Sequence, residues 1–421
     1  MNNENQNSFS MVRVTLALSF LLLALKLFSY SPARVEQLYS NTLFPPLVTL
    51  LTRLNSQTPF SLSELTIYSL LLILSVLLLR LLINLLLNFR RSLPAALQFA
   101  AVLLNLLLAG VFLGYVLWGL NYSRPAFSER VEWAVAETGR PVAEEEELSR
   151  LALETIRWTN HFYRLAQAGM DSEEPSHLAE SVGSLDQRLD SGFRGAADWL
   201  DLPAGLRRPL GPAKPLFSSP LVSYLGLSGF YYPWTGEANF NDRVPDCELP
   251  LVIAHEKAHQ RAFASEDEAS FAGFLACLYS GSDYARYSAY LFAQRQLLRE
   301  WFRVDPERAR VATLERLPGV QRDLEAVHKF WDRHHGIASE VTSSVNDSYL
   351  KLHRVKGGIR SYARSARLLV LLGRHQNGSL SPPSGSLEAC PASDGPFSGP
   401  LKAAAGRTVL ENGRRGLAGW K

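Results

Sequence analysis

The chain predicts a mainly α-helical protein in which three N-terminal transmembrane helices precede an α+β domain with a small β-hairpin or sheet. Three observations carry this. Long apolar runs crowd residues 14–120, helical periodicity dominates from about 143 onward, and one stretch, 217–241, is rich instead in aromatic residues and glycine around a PWTG turn. The chain has 421 residues, 47% of them hydrophobic, an ordinary figure that hides the asymmetry between its two parts.

Taken in order, Val14–Phe28 is the first apolar segment, extendable to Tyr30 and carrying Lys26 near its end. The following LFSYSPARVEQ offers no small-x-small cleavage site, so the segment reads as an uncleaved anchor rather than a signal peptide. Ile67–Leu87 is long enough to span and contains Arg80, whose aliphatic stem allows its charge to reach a headgroup region. Leu97–Leu117 carries no charge and is followed by Trp118 and Tyr122, residues suited to the membrane interface. The spans therefore fall at about 14–30, 66–87 and 97–118, in a membrane domain covering 1–122. Arg13 precedes the first span, and Arg90 and Arg91 lie in the loop between the second and third, which predicts that both stay in the cytoplasm. Everything after Tyr122 is then extracytoplasmic in a multi-pass protein of the cell membrane, with the lipid bilayer as its first partner.

Beyond the spans, 143–169 has a helical period with acidic residues in its first turn, and 174–200 suggests another helix. The 217–241 run reads as a short hairpin or pair of strands. Helices are expected again at 250–260, 266–280, 283–303, 306–313, 318–350 and 358–373, giving a domain over 123–375. The remainder, 376–421, is rich in Gly, Pro, Ser and Ala without amphipathic period and is expected to be disordered. A net charge of +3 with no Lys/Arg block excludes a nucleic-acid partner. Of the three cysteines, Cys247, Cys277 and Cys390, at most one pair can bridge, their spacing is not a zinc knuckle, and Cys277 in its apolar run reads as a small core residue.

The chemistry concentrates in LVIAHEKAHQRAFASEDEASFAGF, 251–274, where His255, Glu256 and His259 make an HExxH pattern. On a helix, residues four apart share a face, so both imidazoles can converge on one metal ion while the glutamate beside the first reaches a metal-bound water. Leu251–Ala254 and Ala258 are apolar, as expected of a helix half buried under a cleft floor rather than one on the surface. A catalytic tetrahedral site needs a third protein ligand, and Glu266 and Glu268 compete for it. Ser265 and Glu268 have the S-x-x-E spacing of a capping box, which favours Glu266 and leaves Glu268 as the alternative. Ser270, one turn after Glu266, is placed to hydrogen-bond the outer nitrogen of a ligand histidine. His334 and His335 sit at a polar helix end, and none of the remaining histidines is assigned to the metal.

Five runs together, WGLNYSRP, GFYYPWTGEANFN, HEKAHQRAFASEDEASF, RYSAY and VNDSYLK, resemble a bacterial family of membrane-anchored HExxH proteins of unknown function over roughly residues 11–372. The resemblance implies a zincin-like metallopeptidase domain of minimal gluzincin type. It also implies an E-x-x-A-N pattern whose first glutamate is the third ligand, which falls on Glu266 here. Three positions depart from that pattern: Ser270 stands for Asn, Ala262 for Gly, and Lys257, on the helix side opposite the histidines, for an apolar residue.

The function expected is hydrolysis of a peptide or protein substrate, with one zinc ion on His255, His259 and Glu266 and with Glu256 as general base. Tyr287, Tyr290 and Tyr349 are candidates to steady the oxyanion, although tyrosines at helical spacing are more often core. The strand Glu237–Asn241 is a candidate edge for pairing with an extended substrate. The competing expectation is a catalytically inactive membrane-bound scaffold whose zinc is structural or absent, for which Lys257 and Ser270 are the supporting features.

Overall fold

The structure, a computed structural model, describes residues 2–133, 144–168, 173–203, 207–352 and 364–381. It is mostly helical, with one small three-stranded sheet, as the sequence predicts. The chain divides into two compact units. The first is Met1–Pro125 with Tyr232–Glu237, and the second is Ala126–Tyr231 with Ala238–Lys421.

In the first unit, α1 (Asn2–Phe28) is followed by the short α2 (Pro32–Arg34), a π-helical stretch Val35–Leu43, α3 (Phe44–Asn55) and α4 (Leu62–Leu117). Three stretches are long and apolar enough to cross a membrane: Ser10–Phe28, Leu62–Leu87 and Ala96–Leu117. Leu16, Leu72 and Leu106 on them are exposed, an arrangement suited to lipid rather than water. The last two stretches belong to one helical run of 56 residues, so the backbone at Arg90 and Arg91 is helical where a loop was expected. Leucine-rich sequence on both sides favours helix, and Pro94 removes one N–H without ending it.

That run nonetheless doubles back. Ser63 Oγ lies 3.1 Å from Thr235 Oγ1, and a Cβ built on Gly114 would lie 3.5 Å from the ring of Trp234, the adjacent residue. A straight helix would separate Ser63 from Gly114 by about 76 Å. The two apolar arms are therefore antiparallel. α1 packs along the second arm, with Thr15 Oγ1 donating to Asn105 Oδ1 at 2.8 Å. At the other end of that arm Tyr39 donates to the Val116 carbonyl at 2.9 Å, and Arg124 grips Glu36 through two bonds of 2.6 and 2.8 Å.

The second unit opens with α5 (Phe127–Arg130), α6 (Glu145–Ala166) and α7 (Val182–Trp199). Next come β1 (Lys214–Pro215), α8 (Ser219–Tyr224), β2 (Gly229–Tyr232) and β3 (Glu237–Phe240). The helices α9 (Leu249–Gln260), α10 (Glu266–Tyr279), α11 (Asp283–Val304), α12 (Pro306–Thr313), α13 (Pro318–His334), α14 (Ile337–Leu352) and α15 (Arg364–His375) complete it. α10 is the central element. It is buried from Ala269 to Leu278 and packs against α7, α9, α11 and α15. Such a helix, apolar all round, has to sit inside a bundle. The expected helix over 318–350 is two helices, interrupted at His335 and Gly336, and that over 174–200 starts at Val182 with Ser181 as N-cap, its hydroxyl accepting from the Ser184 amide.

The sheet order is β1-β3-β2, with β1 parallel to β3 and Lys214 opposite Asn239. The strand expected to offer a free edge, Glu237–Asn241, is thus the middle one, and its backbone is engaged on both sides. Of the two outer strands, β2 is the one that lies against the HExxH helix, through Gly229 and Glu256. The two-residue β1 carries no alternation that a sequence pattern can detect.

The expected disordered tail begins later than 376. Leu380 is fully buried, donates its N–H to Glu154 at 2.9 Å and accepts from the Tyr290 hydroxyl at 2.7 Å. One apolar residue in a Gly/Ser-rich run was enough to dock it. The rest of that tail, including Cys390, lies outside the described residues. Cys247 and Cys277 are both free and buried, and burial pushes both thiols up.

Candidate metal centre

α9 forms because the apolar run Leu251–Ala254 leads into Ala258 without a breaker, while Pro250 sits in the first turn, where a missing N–H costs little. His255 and His259 then share a face, with their Nε2 atoms 3.1 Å apart. Glu266, the first residue of α10, brings Oε2 to 3.1 Å from His255 Nε2 and 3.7 Å from His259 Nε2. Among the described residues this is the one group of three or more His, Cys, Asp or Glu side chains able to hold a metal. Ligands about 2.0–2.1 Å from a tetrahedral zinc ion stand about 3.3 Å from one another, and the three spacings bracket that value. Two imidazoles and one carboxylate are a protein donor set that suits catalytic zinc.

Each imidazole is held by its outer nitrogen. His255 Nδ1 lies 3.1 Å from Ser270 Oγ, and His259 Nδ1 lies 2.7 Å from the Phe263 carbonyl. These bonds turn both Nε2 atoms toward Glu266, as orienting groups around a metal do. α10 comes close enough for Ser270 to reach because Gly273 faces α9: a Cβ there would stand 3.1 Å from the His255 nitrogen.

The Phe263 carbonyl is delivered by the turn that ends α9. Phe263 N–H bonds the Ala258 carbonyl at 3.2 Å and Ala262 N–H bonds that of His259 at 3.0 Å, the pairing of a Schellman cap whose left-handed residue is usually glycine. Ala262 occupies it at φ 69°. The left-handed backbone makes the position strained for alanine. Ala262→Gly is expected to stabilise the protein by about 0.5–1 kcal/mol, visible as a Tm about 2–4 °C higher in thermal unfolding.

Glu256 is 4% exposed. Burial pushes its carboxyl up to about 7, with the imidazoles of His255 and His259 opposing the rise and the Glu266 charge adding to it. Its Oε2 is buried without a hydrogen-bond partner, the state of a carboxylate oxygen kept for a group from outside the protein. Strand β2 passes directly over it. A Cβ on Gly229 would stand 2.8 Å from Glu256 Oε1, so only glycine lets the backbone cross there. Burial lowers the His259 pKa, but bonding to Glu266 and the charges of Glu266 and Glu256 prevail and push it up to about 9. Burial likewise acts to raise Glu266, yet its bonds to the two imidazoles hold it well below the carboxylate range.

Glu268 is kept from the cluster, though not by the expected capping box. Ser265 is the N-cap of α10 but makes no side-chain cap bond. Glu268 instead pairs with Arg130 and accepts the Phe127 amide at 2.7 Å, because an arginine to neutralise outcompetes a single amide for a carboxylate. Lys257 is fully buried on the far face of α9. Its Nζ lies 2.7 Å from Asp186 and 3.0 Å from Asp190 of α7, and Arg261 shares Asp190 at 2.6 Å. Those two aspartates went unnoticed in the sequence, yet they had a signal: Leu185, Asp186, Leu189 and Asp190 interleave acid with apolar residues on one helical face.

Two of the oxyanion candidates are core residues. Tyr287 is fully buried with its hydroxyl on Asp323 at 2.5 Å, and Tyr290, equally buried, is the residue that holds Leu380. The side chain of Tyr349 lies outside the described residues.

Three apolar helices of membrane length and a helix-turn-helix that gathers two histidines and a glutamate define a multi-pass membrane protein with a candidate three-ligand centre. The chain belongs to the family described as "Protein of unknown function (DUF3810)", which matches residues 39–370. No curated protein matches, and no solved structure matches.

Proposed function

We propose that this protein is a membrane-anchored zinc metallopeptidase. The observation that carries the reading is the convergence of His255 Nε2, His259 Nε2 and Glu266 Oε2 beside a buried carboxylate oxygen with no partner. His255, His259 and Glu266 hold the ion, which when bound supplies a Lewis acid that acidifies water and polarises a carbonyl. Ser270 and the Phe263 carbonyl keep the two imidazoles aimed. Glu256 Oε2 takes the proton of the attacking water as its oxygen joins the carbonyl carbon, then gives that proton to the amide nitrogen as the C–N bond breaks. Strand β2, an outer strand of the sheet beside Glu256, suits an extended peptide paired through its backbone.

Arg13 before the first span and Arg90 and Arg91 between the second and third support an extracytoplasmic second unit. The features that favoured an inactive scaffold have ordinary roles: Lys257 neutralises buried aspartates, and Ser270 orients His255. Zinc analysis of the full chain purified in detergent tests the centre. One zinc per chain is expected in the parent, and about a hundredfold weaker binding or worse in His259→Ala and Glu266→Ala. A parent chain that binds no zinc overturns the reading.

A further inference from the structure

The hairpin that covers Glu256 is fastened elsewhere. Its turn, Tyr232–Glu237, belongs to the first unit, whereas Gly229–Tyr231 and Ala238–Phe240 belong to the second. The fastening is Glu237, fully buried. Its Oε1 accepts the Leu62 amide at 3.0 Å, and its Oε2 accepts the Ser63 amide at 2.6 Å and the Ser63 hydroxyl at 2.5 Å. The Thr235 hydroxyl adds a fourth bond at 2.9 Å, and Asn55 of α3 donates to the Thr235 carbonyl at 2.8 Å.

Leu62 and Ser63 are the first two residues of α4, whose amides have no partner inside the helix. The third, Glu64, donates to the Ser61 hydroxyl at 3.2 Å. The opening turn of a membrane helix is thus capped jointly by its own serine and by a glutamate from 174 residues further along, with the negative charge at the positive end of the helix dipole. Gly236 completes the fit, since at φ 67° a Cβ would stand 2.9 Å from Leu51.

We propose that Glu237 is a positioning residue for the Glu256 site. By holding the hairpin turn on the first turn of α4, it fixes strand β2, whose Gly229 lies against the Glu256 carboxylate. This rests on the reading of Glu256 as the general base, but its physical core, that loosening the turn loosens the strands, stands apart from any activity.

The test is amide hydrogen exchange on the full chain in detergent, comparing the parent with Glu237→Gln and Ser63→Ala. The reporters are the Asn241 amide, bonded to the Ser228 carbonyl at 2.8 Å, and the Leu216 amide, bonded to the Phe240 carbonyl at 3.0 Å. Both are expected to exchange about tenfold faster in Glu237→Gln, and less so in Ser63→Ala, with α10 and α11 unchanged as the check that the second unit stays folded. Hydrolysis should show kcat lowered about tenfold with zinc content and KM unchanged. Faster exchange confined to residues 62–66 and 233–237, with Asn241 and Leu216 as in the parent, overturns the proposal. Should Glu237→Gln unfold globally, Ser63→Ala, which leaves the second unit's sequence intact, decides it by the same reporters. A parent without hydrolytic activity would count against the peptidase and leave the exchange result to stand or fall on its own.

Discussion

Glu256→Gln is expected to retain zinc and to lose about 10³-fold in kcat. The substitution is nearly isosteric, so the carboxamide fills the same buried space under Gly229. Zinc is retained because Glu256 is not among the three side chains whose ligand atoms converge. On the proposed mechanism activity is lost because a carboxamide cannot accept the proton of the attacking water. Measuring zinc content and peptide hydrolysis on one preparation separates the outcomes. Full activity with zinc bound removes Glu256 from the chemistry, and loss of zinc together with activity makes its part structural.

The second large effect concerns stability. Lys257→Met places an apolar residue, as the resembling family has, at a position where this chain carries a charge, and it is nonetheless expected to cost about 3–5 kcal/mol. The buried group comprises Asp186, Asp190, Lys257 and Arg261, two acids and two bases, with Asp186 also accepting the Ala213 amide at 3.0 Å and Arg261 stacked 4.2 Å over the Phe193 ring. Removing the lysine strands a buried negative charge, and the carboxylate rather than the lost contact dominates the cost. Tm should fall by about 10 °C. Lys257→Met with Asp186→Asn should recover more than half of that, since the unpaired charge leaves with its partner. A single variant as stable as the parent would mean that water reaches the aspartates.

Much of this arrangement was legible from local pattern. Asp305 followed by Pro306 marks the start of α12, and the structure has Asp305 accepting from the Arg308 amide as N-cap. The three apolar stretches, the shared face of His255 and His259 and the Ser270 bond to His255 all follow from spacing on one or two helices, whereas Glu266 was favoured by a capping box that the structure does not make. What escaped involves partners far apart in sequence. The capping box at Ser265 was a sound local expectation that Arg130, 138 residues earlier, overrode by claiming Glu268. Lys257 looked like a misfit until Asp186, 71 residues away, came beside it. The middle position of β3 depends on a two-residue strand, too short for any period to reveal.

The doubling-back of α4 has a consequence of parity. Three crossings are an odd number, so on the orientation proposed here the segment before Ser10 and the histidines of α9 face different compartments. On that orientation the first turn of α4, with its four bonds on Glu237, lies at the extracytoplasmic end of the membrane helix.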